Sequence, residues 1–101
     1  MTENLIIVGT NSEALDQHIR DRLHHALNQH VGKVVSLQVR LRDINGPRGG
    51  EDKQVRVIVG LRACDDVVVE ETGEDAYAII SLAADRVKQS VGRKLAKAKG
   101  K

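Results

Sequence analysis

An alternation of apolar with mostly polar residues in two neighbouring segments constrains this fold most. Every second residue of 35–41 and of 55–61 is Val or Leu, and most of the intervening residues are polar. Because successive side chains of a strand point to opposite faces, each segment predicts a strand with one apolar face and one solvent face. Short apolar runs at residues 4–8 and 67–69 predict two further strands.

Two amphipathic helices are predicted around these strands. Apolar residues recur every four positions over residues 15–31, and Gly32 is expected to end this first helix. A second apolar stripe predicts a helix from Glu74 to about Ala98. Thr10 and Thr72, each with an acidic residue three positions later, are the predicted caps of the two helices.

The predicted element order is β-α-β-β-β-α. Two helices with one apolar stripe each, packed on one face of a four-stranded sheet, bury all of these apolar surfaces together. The predicted class is therefore α+β, a two-layer sandwich like the double-stranded-RNA-binding domain. Residues 1–98 are expected to form a single domain, with 99–101 as a basic tail, and residues 43–53 are expected to form a polar, glycine-rich loop.

Composition excludes several classes of protein. Tyr77 is the only aromatic residue, so the modules that stack bases on aromatic side chains are excluded, and its position on the apolar stripe predicts a core residue. Cys64 has no second cysteine with which to form a disulfide. The spacing of the four histidines predicts no metal site, and we expect no cofactor, no small-molecule substrate and no enzymatic activity. The N-terminus resembles neither a signal peptide nor a membrane anchor, so a cytoplasmic protein without membrane association is expected.

Charge is segregated along the chain, although the formal net charge is only +2. Residues 64–85 carry seven acidic side chains and no Lys or Arg, whereas residues 86–101 carry seven basic side chains and no acidic ones. Basic C-terminal segments of this kind commonly bind polyanions, although a solvated helix end is the simpler interpretation.

On a helical projection the basic residues of the second helix lie away from its apolar stripe. Arg86, Arg93 and Lys97 fall nearly opposite the stripe, with Lys88 and Lys94 beside them. The first helix carries a polar stripe at spacings of four, three and four, formed by His18, Arg22, His25 and Gln29. Side by side, the two helices are predicted to form a basic strip that follows phosphates without reading bases.

The open face of the predicted sheet offers a second candidate surface. Four arginines are expected to project from it: Arg40, Arg42, Arg56 and Arg62. These side chains suit either RNA or an acidic protein partner, and a solvated sheet face is the alternative.

Residues 67–80 (VVVEETGEDAYAII), continuing with Ala83-Ala84-Asp85-Arg86, closely resemble the ribosome hibernation promoting factors, also called ribosome-associated inhibitors or sigma-54 modulation proteins. The resemblance is specific around Glu71 to Arg86 and collinear over nearly the whole chain. It implies a non-enzymatic protein of resting or stressed cells. Such a protein binds the ribosomal RNA of the small subunit in the decoding channel and blocks messenger and transfer RNA.

The resemblance also implies roles for individual residues. Positions Arg22, Arg86, Arg93 and Lys97 coincide with basic positions of the family, while His25 and Gln89 stand where Lys and Arg are usual. The chain resembles the short members, which lack a C-terminal dimerisation domain. The predicted RNA-binding residues are Arg22, His25, Arg40, Arg42, Arg86, Lys88, Arg93, Lys94 and Lys97. Two alternatives stay open: a regulator that docks a protein through the arginine-lined sheet face, and a general binder of structured RNA.

Overall fold

The computed structural model of the chain describes residues 5–9, 12–45, 51–62 and 64–99. The described elements follow the predicted order and are, in sequence, β1 (Leu5–Val8), α1 (Glu13–Leu27), a 3₁₀ segment (Asn28–Lys33), β2 (Val34–Asn45), β3 (Glu51–Leu61), β4 (Val67–Gly73) and α2 (Ala76–Lys99).

The four strands form one sheet in the order β1-β2-β3-β4. Strand β1 pairs with β2 in parallel, and the other two pairs are antiparallel. The core between this sheet and the two helices is aliphatic, and it includes Ile19, Leu23, Leu37, Val39, Val57, Val59, Val87 and Val91. The predicted α+β sandwich is confirmed.

The central hairpin is longer than predicted, because β2 and β3 extend into the expected loop. Asp43 pairs with Lys53 in the ladder, and the Nζ of Lys53 lies 2.7 Å from Oδ1 of Asp43. Residues 46–50 of the predicted loop lie outside the described residues. At the other end of β2 a register irregularity between Val34 and Ser36 leaves Val34 buried and Val35 exposed, which reverses the predicted alternation there.

Helix α1 begins later and ends earlier than the sequence pattern predicted. Ser12, not Thr10, is its N-cap, and its Oγ accepts a hydrogen bond from the backbone N–H of Leu15 at 3.3 Å. The α-helix ends at Leu27, and the chain continues as a tighter 3₁₀ segment in which His30 has non-helical dihedral angles. The four-residue periodicity continues past this break, which explains why the sequence predicted a longer helix.

Helix α2 begins at Ala76, and its cap is Asp75 instead of Thr72. Oδ1 of Asp75 accepts a hydrogen bond from the backbone N–H of Tyr77 at 3.0 Å, whereas Thr72 belongs to β4. The buried face of α2 includes Ala76, Ile79 and Ile80, and Tyr77 lies at the edge of this face and is 43% exposed. The prediction that Tyr77 is a core residue was therefore wrong.

The two helices run in the same direction along the sheet. His18 of α1 lies against Tyr77 and Ser81 of α2, and Arg22 lies against Asp85 one turn further along both helices. The first turns of both helices therefore share one end of the domain. Within the described residues, no helix has the length and apolar character needed to cross a membrane.

Candidate nucleic-acid interface

A shallow groove separates the 3₁₀ segment from the middle of α2. Its volume is about 500 Å³. The lining comes from both elements and includes one acidic side chain: Gln29, His30, Asp85, Lys88, Gln89, Gly92 and Arg93. Polar and basic groups with one acid make this groove a candidate for an anionic ligand.

Gly92 gives the groove its depth. A Cβ atom at this position would lie 3.9 Å from Nε2 of His30 and would meet no other described atom nearby. Glycine costs about 1 kcal/mol relative to alanine in a helix interior, so a glycine here lowers the stability of α2. Because glycine has no side chain, the space between His30 and α2 stays open at this position.

Four basic side chains in the second half of α2 have no acidic partner among the described residues. Lys88, Arg93 and Lys97 are exposed, and Lys94 is half-buried. Positions 88 to 97 of a helix span about 14 Å at 1.5 Å per residue. We refer to Lys88, Arg93, Lys94 and Lys97 together as the basic half of α2. Cations that no carboxylate neutralises are available to phosphate groups.

Two of the predicted RNA-binding arginines, Arg22 and Arg86, lie close to carboxylates of the chain itself. The guanidinium group of Arg86 forms an ion pair with Glu71 of β4. Nη2 of Arg22 lies 3.8 Å from Oδ1 of Asp85, while its Nε is buried without a hydrogen-bond partner in the described part of the chain. Arg86 and Arg22 therefore connect α2 to β4 and to α1.

The predicted polar stripe of α1 faces α2 at three of its four positions. His18 contacts Tyr77, Arg22 contacts Asp85 and Gln29 lines the groove. His25 is exposed and lies outside the groove. Sequence analysis missed His30, because the four-residue periodicity assigned residues 28–31 to an unbroken α-helix.

The predicted sheet arginines lie on the other layer of the molecule. Arg40 and Arg42 project from the open face of the sheet, opposite the helices, in register with Arg56 and Gln54 of β3. Nε of Arg42 donates a hydrogen bond to Oε1 of Gln54 at 2.7 Å. The nine predicted RNA-binding residues thus divide between two faces, and one flat ligand surface does not reach both.

The surface around the N-terminal half of α2 has the opposite character. Glu74 and Asp75 are exposed immediately before the helix, Asp85 is exposed in its third turn, and the ring of Tyr77 lies 4.9 Å from the ring of His18. Along α2 the surface therefore changes from acidic to basic, as the charge segregation in the sequence predicted. Within the described ranges, no group of three or more His, Cys, Asp or Glu side chains is arranged to hold a metal ion.

Comparison with known proteins gives matches in family and in fold. The sequence model of the family described as "Sigma 54 modulation protein / S30EA ribosomal protein" matches residues 6–99. The N-terminal domain of Thermus thermophilus Protein Y is similar in structure, with a TM-score of 0.66, 21% identity and coverage of 92% of this chain and 98% of that chain. A ribosomal subunit interface protein from Coxiella burnetii has a TM-score of 0.74 at 19% identity, covering 97% of this chain and 99% of its own. Comparison with curated proteins gives no match.

Proposed function

The chain belongs to the Sigma 54 modulation protein / S30EA ribosomal protein family, and from this premise we propose that it is a ribosome hibernation factor. It associates with the small ribosomal subunit through the basic half of α2 and the adjoining groove. Its ligand is the phosphate backbone of ribosomal RNA in the decoding channel. The bound protein excludes messenger and transfer RNA and so halts translation.

The observation that carries this proposal is the set of cations without acidic partners in the second half of α2. Lys88 and Arg93 also line the groove, so a phosphate group that enters it meets both side chains and His30. Each contact replaces counterions around the RNA, which makes binding strongly salt-dependent. A groove whose described lining has no base-stacking side chain suits recognition of a structured RNA by shape and charge.

Blocking the channel requires no catalytic chemistry. A domain with principal-axis extents of 48 × 27 × 16 Å occupies space that messenger and transfer RNA also need. Inhibition then follows from competition for the same site, and its extent depends on the affinity of the protein for the small subunit. Removing phosphate contacts should therefore reduce ribosome binding and translational inhibition in parallel.

The test is a triple variant, Lys88→Gln, Arg93→Gln and Lys97→Gln, in cosedimentation with purified small subunits. The logarithm of the association constant falls with the logarithm of salt concentration by about 0.7–0.9 for each phosphate contact. We expect the triple variant to bind at least tenfold more weakly and to lose about 2–3 from this slope. Arg86 is left unchanged, because Glu71 already neutralises its charge.

The matched control removes three positive charges elsewhere, by Arg20→Gln, Arg42→Gln and Arg56→Gln. These side chains lie on α1 and on the open sheet face, away from the groove. The control should keep most of the affinity for the small subunit. Equal losses in the two triple variants would contradict the proposed site and would indicate attraction by total charge alone.

Chemical footprinting of small-subunit ribosomal RNA tests the decoding-channel step separately. The wild-type protein should protect nucleotides of the channel and reduce transfer RNA binding, and the triple variant should do neither at the same concentration. Protection outside the channel, with transfer RNA binding unchanged, would refute the steric mechanism while leaving ribosome association intact. Equal affinity for an arbitrary RNA duplex would instead favour a general binder of structured RNA.

A further inference from the structure

The open face of the sheet carries aliphatic side chains that remain exposed in the described part of the chain. Ile6 is 55% exposed and Val68 is 49% exposed, although they lie on the two edge strands of the same sheet. Ladder pairing connects them through Gln38 and half-buried Ile58. This defines a row across all four strands, Ile6–Gln38–Ile58–Val68, which we call the apolar row.

A second row, Val8–Arg40–Arg56–Glu70, lies beside the apolar row on the same face. Val8 is 49% exposed. Arg40 and Arg56 are direct ladder partners, and like charges in this position destabilise an antiparallel pair. Glu70 offsets part of this repulsion, since its Oε2 lies 3.9 Å from Nε of Arg56. Arg40 has no ion pair with any described residue.

The rows together define the chemistry of a ligand. Aliphatic side chains gain free energy when other apolar groups cover them, and the arginines beside them attract carboxylates. The face spans about 14 Å across four strands, enough for a helix of about 10–12 Å diameter. We propose that the open sheet face is a docking surface for an acidic protein segment that carries apolar side chains.

Two other occupants fit this face less well. A second copy of the chain would place Arg40, Arg42 and Arg56 against the same arginines. Glu70 is the one acidic residue in the two rows, so these positive charges would repel each other. RNA would contact the arginines but would leave the aliphatic side chains without an apolar partner. The only aromatic side chain, that of Tyr77, lies on α2, so this face has no platform on which bases stack.

Selection of a random peptide library on the purified protein tests the proposal. The expected peptides combine Asp or Glu with Leu, Ile, Val or Phe, and their affinities are then measured by fluorescence anisotropy. Ile6→Ser with Val68→Ser should raise the dissociation constant at least about tenfold. The reason is that the peptide covers both aliphatic side chains, and each loses its favourable burial when it is replaced by serine. Arg40→Gln with Arg56→Gln should also raise it. Circular dichroism verifies that both variants are folded.

The Lys88, Arg93 and Lys97 triple variant is the matched control, because it changes the helix layer and leaves the sheet face intact. Peptide binding should be unchanged in this variant, although its ribosome binding is expected to be weak. The two assays can therefore refute the docking surface and the proposed function separately. The proposal is overturned if the peptides lose affinity only in that triple variant, or if replacing their apolar residues by Ser has no effect. Displacement of the peptide from the sheet face by an RNA duplex, or a dimer that Ile6→Ser dissociates in analytical ultracentrifugation, would also overturn it.

Discussion

Replacing Gly92 by alanine should stabilise the protein, and the structure sets the size of the effect. Gly92 lies in the interior of α2, where alanine is favoured over glycine by about 0.8–1 kcal/mol. The new Cβ would lie 3.9 Å from Nε2 of His30, an ordinary contact distance, so no steric cost opposes this gain. We expect an increase of about 0.5–1 kcal/mol in the free energy of unfolding. For a domain of this size the melting temperature then rises by about 2–8 °C.

Urea denaturation followed by circular dichroism measures this change. The reciprocal control is Ala96→Gly, on an exposed position one turn further along α2, which should lower the free energy of unfolding by up to about 1 kcal/mol. Because both substitutions exchange only alanine and glycine, their opposite signs isolate helix propensity. A Gly92→Ala variant that is less stable than wild type would refute the reasoning, since it would mean that the groove has no room for a methyl group.

The same position separates stability from binding. Gly92→Leu places a branched side chain in the groove between His30 and Lys88, so affinity for the small subunit should fall severalfold while the protein stays folded. Ala78→Leu adds the same side chain to an exposed position near the start of α2 and should leave the affinity unchanged. Cosedimentation measures both. Equal affinities of the two leucine variants would exclude the groove from the RNA interface.

Three further substitutions test individual contacts. Glu71→Gln releases Arg86 and removes a negative charge beside it, so binding to the small subunit should become tighter and more strongly salt-dependent. Unchanged affinity in cosedimentation would exclude Arg86 from the interface. Asp75→Ala removes the cap of α2 and should cost about 0.5–2 kcal/mol in urea denaturation, while Thr72→Ala should cost less if the cap assignment is correct. Gly9→Ala should cost at least about 2 kcal/mol, because Gly9 has φ of +97° and its Cβ would overlap a backbone oxygen of β2; a smaller loss would mean that this turn relaxes easily.

The strands and the order of elements were predictable because alternation with period two reports which face of a strand is buried. Val57 and Val59 are buried as predicted, and the signal failed at Val35, where the register shifts near the start of β2. Such an irregularity depends on how two strands pair and leaves no mark in the hydrophobic pattern. The predicted hairpin loop was too long for a related reason. Polar residues such as Asp43 and Lys53 were assigned to the loop, but they belong to the strands because they pair with each other across β2 and β3.

Helix boundaries were harder to predict, and the errors propagated to the predicted site. The periodicity of α1 continues through residues 28–31, where the backbone changes to a 3₁₀ segment, so His30 was not recognised as a partner of α2. Similarly, the apolar stripe of α2 placed Tyr77 among the core residues, whereas the buried face is centred nearer Ile80 and Ala83. Successive residues of a helix are rotated by about 100°, so a side chain at the edge of an apolar stripe points between core and solvent.

The structure describes five of the seven basic side chains in the C-terminal block, and these five divide into two groups. Arg86 is neutralised by Glu71, whereas Lys88, Arg93, Lys94 and Lys97 have no acidic partner among the described residues. If binding followed the total charge of the block, seven phosphate contacts would give a salt slope of about −5 to −6. Four contacts give about −3 to −3.5 instead. The slope of the wild-type protein on small subunits therefore measures how much of the sequence charge is available to RNA, and a value near −6 would mean that cations other than these four side chains also contact phosphates.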